Sequence, residues 1–263
     1  DFAESIVQAE EIRDWLHYAT FSDLITFERH LAHLASAVVL FVESPGSIAE
    51  LGAFSLIPEI AQKLIVFVRE DHYYQESYIK LGPLQYIEST LDSERVSVYP
   101  WTESQRIRDG QCTTALNENS LRDYTDDIVD DIRRISREAN KSTKFNSEDY
   151  GHVMLIIADL VSLFTALKEK EVASFVGDLG LHVPPELLNQ FLFICEKLGL
   201  LVKKKYSGVT YFIETGTASL VKYSLVSETR LRDRITLKQS VLDFYRSSDA
   251  KRSRAIAKFR SET

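Results

Sequence analysis

Residues 37–54 read AVVLFVESPGSIAELGAF, and the organisation of the first half of the chain follows from them. Ala37 to Val42 is an unbroken apolar, β-branched run, the pattern of a strand covered on both faces in a parallel sheet. Glu43-Ser44-Pro45-Gly46 is a sharp turn, after which Ser47 is expected to open a helix reaching Ile57. Working outward, Leu64 to Val68 is a second buried strand and Val96 to Tyr99 a third. Helical periodicity covers Glu10–Tyr18, Ser22–Ser36, Tyr74–Leu81 and Pro83–Thr90, and Ser5 to Gln8 is a further short β-prone piece. Strand, helix, strand, helix, strand predicts an α/β fold with a doubly wound parallel sheet.

The 263 residues suggest about two domains. Apolar residues make up 44% and charged residues 27%, so a packed core is expected and global disorder is not. No apolar run is long enough to span a bilayer, and the first residues lack the basic and apolar stretches of a signal peptide. Cys112 and Cys195 show neither metal-ligand spacing nor a disulfide framework, so two free thiols in a reducing cytoplasm are expected. His30 and His33 share a helix face, but no third ligand accompanies them and no metal is expected.

The net charge of −8 is unevenly spread. Residues 1–150 carry 27 acids and 14 bases, whereas residues 151–263 carry 12 acids and 17 bases. The second half is therefore eligible to meet nucleic acid although the whole chain is acidic. Residues 119–139 are read as an acidic helix with Asp126, Asp127, Asp130 and Asp131 on a solvated face. From residue 148 three helices (150–167, 170–179 and 185–199) precede a hairpin turning at Ser207-Gly208, the order of a winged helix. Thr217 to Val226 is expected to be helical, and residues 230–260 form a basic segment. The expected domains are 1–115 (α/β), 116–147 (helical connector) and 148–263 (winged-helix-like).

The chemistry is concentrated at the turn. The C-terminal end of a strand leading into a helix is where open α/β sheets place ligands. On the expected boundaries Glu50 lies in the first helical turn, where N–H donors and the helix dipole favour an ionised carboxylate. Such a group is suited to attack an anomeric carbon. Ser44, Gly46 and Ser47 would contact substrate through the turn, and Gly52 would let the helix pack closely on the sheet or admit a ligand. Ser47-x-x-Glu50 is equally a capping box, which explains both residues without any reaction. Glu10, Glu11 and Glu43 are candidates for a second carboxylate. In the second half, Lys203, Lys204 and Lys205, with Tyr206 and Tyr211 nearby, and Lys251, Arg252 and Arg254 are the candidate nucleic-acid contacts.

Gly46-Ser47-Ile48-Ala49-Glu50-Leu51-Gly52-Ala53 resembles the catalytic motif of nucleoside 2-deoxyribosyltransferases. In that family the glutamate attacks the sugar C1′ and a covalent glycosyl-enzyme forms. The longer string from Phe41 to Ser55 resembles more closely the deoxyribosyltransferase-like toxic effectors encoded beside retrons. The likeness continues through Lys63-Leu64-Ile65 and Tyr78-Ile79-x-x-Gly82-Pro83-Leu84. This resemblance implies an N-glycosidase with Glu50 as nucleophile, held in check by a reverse transcriptase and its RNA–DNA product (msDNA). Where deoxyribosyltransferases carry aspartates, this chain reads Glu28-Arg29-His30 and Ala35-Ser36-Ala37, which implies hydrolysis of a better leaving group. NAD as substrate, with no cofactor, meets that description, because cationic nicotinamide departs without a general acid. The family also opens with a strand and a glycine-containing loop, which these 263 residues are expected to lack. Two non-enzymatic expectations stand beside this one: a winged-helix regulator with a nucleotide-sensing α/β domain, and an assembly subunit.

Overall fold

The computed structural model describes residues 6–12, 20–106, 112–139, 144–216, 220–223 and 234–260. The chain packs as two compact units, one formed by Leu31–Lys144 and the other by Asp1–His30 with Phe145–Thr263.

Helix α1 (Leu24–Leu34) starts where Asp23 accepts the N–H of Thr26 at 2.7 Å. It ends where the Lys63 ammonium donates to the carbonyls of Ala32 (2.7 Å) and His33 (3.0 Å). Both contacts satisfy backbone groups that a helix end leaves open. Only the last turn of α1 belongs to the first unit, which goes on with β1 (Val38–Val42), α2 (Pro45–Phe54), α3 (Pro58–Ala61), β2 (Leu64–Arg69), α4 (Glu70–Tyr74), α5 (Gln85–Thr90) and β3 (Val96–Tyr99). The three strands form a parallel sheet in the order β1-β2-β3, with Val38 opposite Leu64 and Arg69 opposite Tyr99. β2 is central and its first five residues are completely buried. Leu64, Val66 and Val68 share a core with Leu51 and Phe54 of α2. The alternate residues Ile65 and Phe67 meet Trp101, Ile128 and Ile135 on the other face. Two covered faces explain why Leu64 to Val68 are all apolar instead of alternating.

Several expectations are corrected. Ile6 to Gln8 form no strand; they lead into a single 3-10 turn at Ala9–Glu11. Of the helix expected over 10–18, residues 13–18 lie outside the described residues. The chain does not break before Pro83: a π-turn over Lys80–Leu84 carries it directly into α5. Widening the turn accommodates a proline that would otherwise collide with the preceding carbonyl. After Trp101 the chain forms an antiparallel hairpin, β4 (Thr102–Arg106) with β5 (Cys112–Leu116), that the sequence reading lacks. The single helix expected over 119–139 is two, α6 (Glu118–Asp123) and α7 (Thr125–Ala139). Asp131 does not belong to a solvated face. It accepts hydrogen bonds from Ser97 (2.8 Å) and Tyr99 (3.2 Å) and pairs with Arg134 (3.1 Å), tying α7 to β3. Burial and this carboxylate push the Tyr99 phenol up to about 12, so it remains a donor.

In the second unit α8 (Tyr150–Phe164) is capped by Asp149, which accepts the N–H groups of Gly151 and His152. β6 (Ala166–Leu167), α9 (Glu169–Asp178), α10 (Pro185–Lys197), β7 (Leu201–Tyr206) and β8 (Val209–Glu214) follow. The strands form an antiparallel sheet in the order β6-β8-β7. Ser207 and Gly208 both have positive φ (48° and 80°), the backbone a two-residue hairpin turn requires. Val221 to Tyr223 are not helical, and the rest of the helix expected over 217–226, apart from Leu220, lies outside the described residues. Two further helices, α11 (Arg234–Ser248) and α12 (Ala250–Arg260), complete the unit. The buried carboxylate of Asp159 on α8 accepts from Tyr223 (2.8 Å) and from Arg234 of α11 (2.9 Å).

Candidate functional site

The site is built where β1 ends. Pro45, not Ser47, opens α2: its fixed φ suits the first helical position, where an N–H would go unused. Ser44 is the N-cap, and its hydroxyl accepts the Ser47 N–H at 3.1 Å. Ser47 reciprocates by accepting the N–H groups of Ser44 (2.9 Å) and Glu43 (3.0 Å). The capping box is therefore Ser44 with Ser47, and Glu50 is not part of it. Glu50 stands one turn further along than expected, in the second turn and half-buried. The cap thus removes the explanation by which Glu50 is merely a helix-start residue.

What surrounds Glu50 follows from helical periodicity. Ser47, Leu51 and Phe54 form the buried stripe of α2, which places Gly46, Glu50 and Ala53 together on the adjacent face. Long helical side chains lean toward the N-terminus, and the residue one turn before Glu50 is Gly46, which has no side chain to block that path. A methyl at Gly46 would sit 3.5 Å from the Ser44 hydroxyl, an ordinary contact. A methyl at Gly52 would meet nothing within 4 Å, so close packing on the sheet is not what this glycine provides. Ser47, expected to contact a ligand, is buried, and its hydroxyl is engaged within the cap.

The carboxyl ends of the other strands add charged residues that the sequence reading missed. Arg69 ends β2 and pairs side-on with Asp71 through Nε (2.9 Å) and a second, short contact. This pair raises the guanidinium pKa, with a smaller contribution from Glu43, and lowers that of Asp71. Glu43, exposed at the end of β1, is therefore within electrostatic reach of Arg69. The signal was present in the sequence: a charged triplet, Arg69-Glu70-Asp71, directly follows a buried strand, where such sheets bind ligands. Glu10 and Glu11 lie in the 3-10 turn of the other unit, both exposed.

The basic residues of the second unit separate into two groups. Lys203, Lys204 and Lys205 are exposed on β7, and Arg254 is exposed on α12. Lys203 lies 5.9 Å from the Phe212 ring and Lys204 lies 5.8 Å from that of Phe259. Arg252, by contrast, is buried. Its guanidinium bonds Glu171 (2.5 Å), Asp249 (3.1 Å), the Ala166 carbonyl (3.2 Å) and the Tyr245 hydroxyl (3.1 Å). It holds the interior together instead of meeting phosphate. Tyr211 is likewise 1% exposed, and its ring cannot stack on a base. His30 is a core histidine among Phe21, Tyr150 and Phe191, its Nδ1 2.7 Å from the Thr26 carbonyl. Cys195 is buried and its thiol is pushed up to about 12 by desolvation. Among the described residues no cluster of His, Cys, Asp and Glu could hold a metal ion, and no helix is long and apolar enough to cross a membrane.

Comparison with known proteins places this sequence in a family. The sequence model described as STM3845 retron effector protein matches residues 1–205. The Escherichia coli protein named "Retron Ec86 putative ribosyltransferase/DNA-binding protein" is 30% identical over 131 residues, covering 50% of this chain and 39% of the relative. A second Escherichia coli protein, "Retron Ec73 putative ribosyltransferase/DNA-binding protein", is 32% identical over 65 residues, or 25% of this chain and 21% of the relative. The matched regions thus span well under half the length of either relative.

Proposed function

This chain belongs to the STM3845 retron effector family, and from that premise we propose that it is the toxic effector of a bacterial retron anti-phage system, acting as a deoxyribosyltransferase-like N-glycosidase on NAD or a related nucleotide. The ribosyltransferase in the names of its relatives supports glycosyl transfer. The observation that carries the assignment to Glu50 is the Ser44–Ser47 cap. With the helix start satisfied by two serines, a half-buried glutamate one turn above Gly46, at the carboxyl edge of a parallel sheet, lacks a capping role.

In the proposed reaction a Glu50 carboxylate oxygen bonds to C1′ of the nicotinamide riboside. The C1′–N bond breaks, and its electron pair neutralises the pyridinium, so nicotinamide leaves without a proton. Water then attacks C1′, releasing the Glu50 carboxylate, ADP-ribose and a proton. Glu43, at the end of β1 in the same unit, is the candidate acceptor for that proton. NAD is here a substrate and not a cofactor. The second unit, with helices preceding a lysine-bearing hairpin, is read as a winged-helix-like module that meets nucleic acid. Its partners would be the retron reverse transcriptase and its msDNA, which restrain the toxin. The exposed Lys203–Lys205 triplet also favours a second reading, a nucleic-acid-binding regulator whose α/β domain senses a nucleotide without turnover.

Nicotinamide release by the full-length protein, wild type against Glu50→Gln, separates the two. Release that vanishes in the variant supports the glycosidase. No release from NAD or a nucleoside panel, with or without nucleic-acid partners, leaves the regulator.

A further inference from the structure

The second unit contains a cavity of about 340 Å³ that the proposed reaction does not use. Its walls are aromatic: Phe164, Phe175, Phe244 and Tyr245. Phe164 and Phe175 stack on each other, 4.4 Å apart and 8° from parallel. Phe244 is 60% exposed, a large apolar surface to leave in water beside a pocket.

The polar part of the lining is rich in acceptors. Glu171 receives Arg252 on one oxygen and the Lys168 N–H, at 2.8 Å, on the other. Asp249 receives the N–H and Nε of Arg252. A carboxylate offers about four lone-pair sites, so each retains unused acceptor capacity. A ligand held here should therefore be flat, apolar on its faces and a hydrogen-bond donor at its edge.

The cations around the cavity indicate how such a group arrives. Lys168 Nζ is 3.9 Å from Glu171, and Lys251 and Arg254 flank the lining residue Arg252 on α12. Lys168 beside α9 and Lys251 and Arg254 on α12 put three positive side chains on two of the segments that contribute to the lining, which suits a polyanion carrying flat groups. We propose that this cavity receives one unpaired nucleobase bearing an exocyclic amino group, from a single strand whose phosphates meet Lys168, Lys251 and Arg254. This rests on the reading of the second unit as a nucleic-acid-binding module. The aromatic walls sandwich the base, and the carboxylates accept from its amino group. Thymine and uracil present a carbonyl at that position and are disfavoured by the same carboxylates.

The test measures binding of the full-length protein to oligo-dC and oligo-dT of about twelve nucleotides by fluorescence anisotropy at several salt concentrations. Cytosine and thymine differ at C4 in the required sense. We expect dC to bind at least about fivefold more tightly than dT, the lower end of what one good base contact supplies. Phe244→Ala, at an exposed position, should weaken dC about tenfold and erase the preference while leaving the salt slope unchanged. Ser240→Trp, which fills the cavity from α11, should do the same, and melting curves verify that both variants fold. Equal binding of dC and dT that neither variant alters overturns the cavity proposal and leaves backbone contact by the module intact. Failure of the wild type to bind any oligonucleotide removes the nucleic-acid reading itself. Binding of N-acetyltryptophanamide that Phe244→Ala abolishes, without any base preference, makes this a pocket for a protein side chain and also overturns the proposal.

Discussion

At the scale of single residues the active-site proposal divides two neighbouring roles that sequence spacing merges. Ser44 and Ser47 close the helix start, and Glu50, outside that capping box, is the nucleophile proposed above. Ser44→Ala should cost about 1 kcal/mol, the usual value of an N-cap, and lower the melting temperature with little change in nicotinamide release per folded molecule. Glu50→Gln should leave the melting temperature near wild type and reduce release by at least about a thousandfold, as expected for a lost nucleophile. A Ser47→Ala variant that melts normally yet loses turnover would return Ser47 to the substrate site. His30 supplies a pH-dependent prediction. Burial depresses its pKa, so the folded protein keeps the ring neutral while the unfolded chain protonates near its ordinary value of 6.5. The unfolded state then binds the extra proton, and stability must fall as pH drops below about 6.5. Melting temperatures at pH 7.5 and 5.5 should differ less in His30→Leu than in wild type, after allowing for the variant's own change in stability.

At the scale of elements, what was legible depended on whether one physical signal dominated. In the parallel sheet β2 was readable because its first five residues are apolar and buried on both faces, whereas β1, expected to be covered on both faces, alternates and leaves Val39 and Phe41 exposed. The start of α2 was misplaced because Ser47-x-x-Glu50 satisfies a capping pattern, although Pro45 marks the first helical residue more strongly. The hairpin β4–β5 was missed because TESQR and CTTAL offer no clear apolar alternation. Arg252 was misassigned by counting bases in a run instead of following helical period: Arg252, Ala255, Ile256 and Phe259 lie on the buried face of α12, while Lys251, Arg254 and Lys258 lie off it. Asp131 is a similar case, sharing the side of α7 that carries Ile128 and Ile135. The distinction has a measurable outcome. Arg252→Ala removes the common partner of Glu171 and Asp249, and because those carboxylates are partly exposed the cost should be about 2 kcal/mol, below that of a fully buried pair. Arg254→Ala should leave the melting temperature within about 1 °C. It should instead lower the salt slope of oligonucleotide binding by about one.

At the scale of the whole molecule, charge and packing divide the chain differently. By sequence order residues 151–263 carry an excess of five bases, but residues 1–30 carry seven acids and two bases and pack into the same unit. Together with Glu148 and Asp149 they leave that unit with 21 acids and 19 bases, close to neutral. The nucleic-acid binding proposed for this unit therefore cannot draw on its net charge and would have to come from local patches such as Lys203–Lys205. The same packing makes residues 20–30 structural for the second half. Phe21 meets Phe27, His30 and Phe193, and the Thr20 carbonyl accepts from Gln190. Phe21→Ala should cost about 3 kcal/mol, the lower end for a buried aromatic ring. If the two units open separately, that loss will be local. Hydrogen exchange should accelerate in α8 and α10, over 150–164 and 185–197, and remain at wild-type rates in β1 and β2. Faster exchange across β1 and β2 as well would mean that the chain unfolds as one cooperative body, with the segment before α1 supporting both halves.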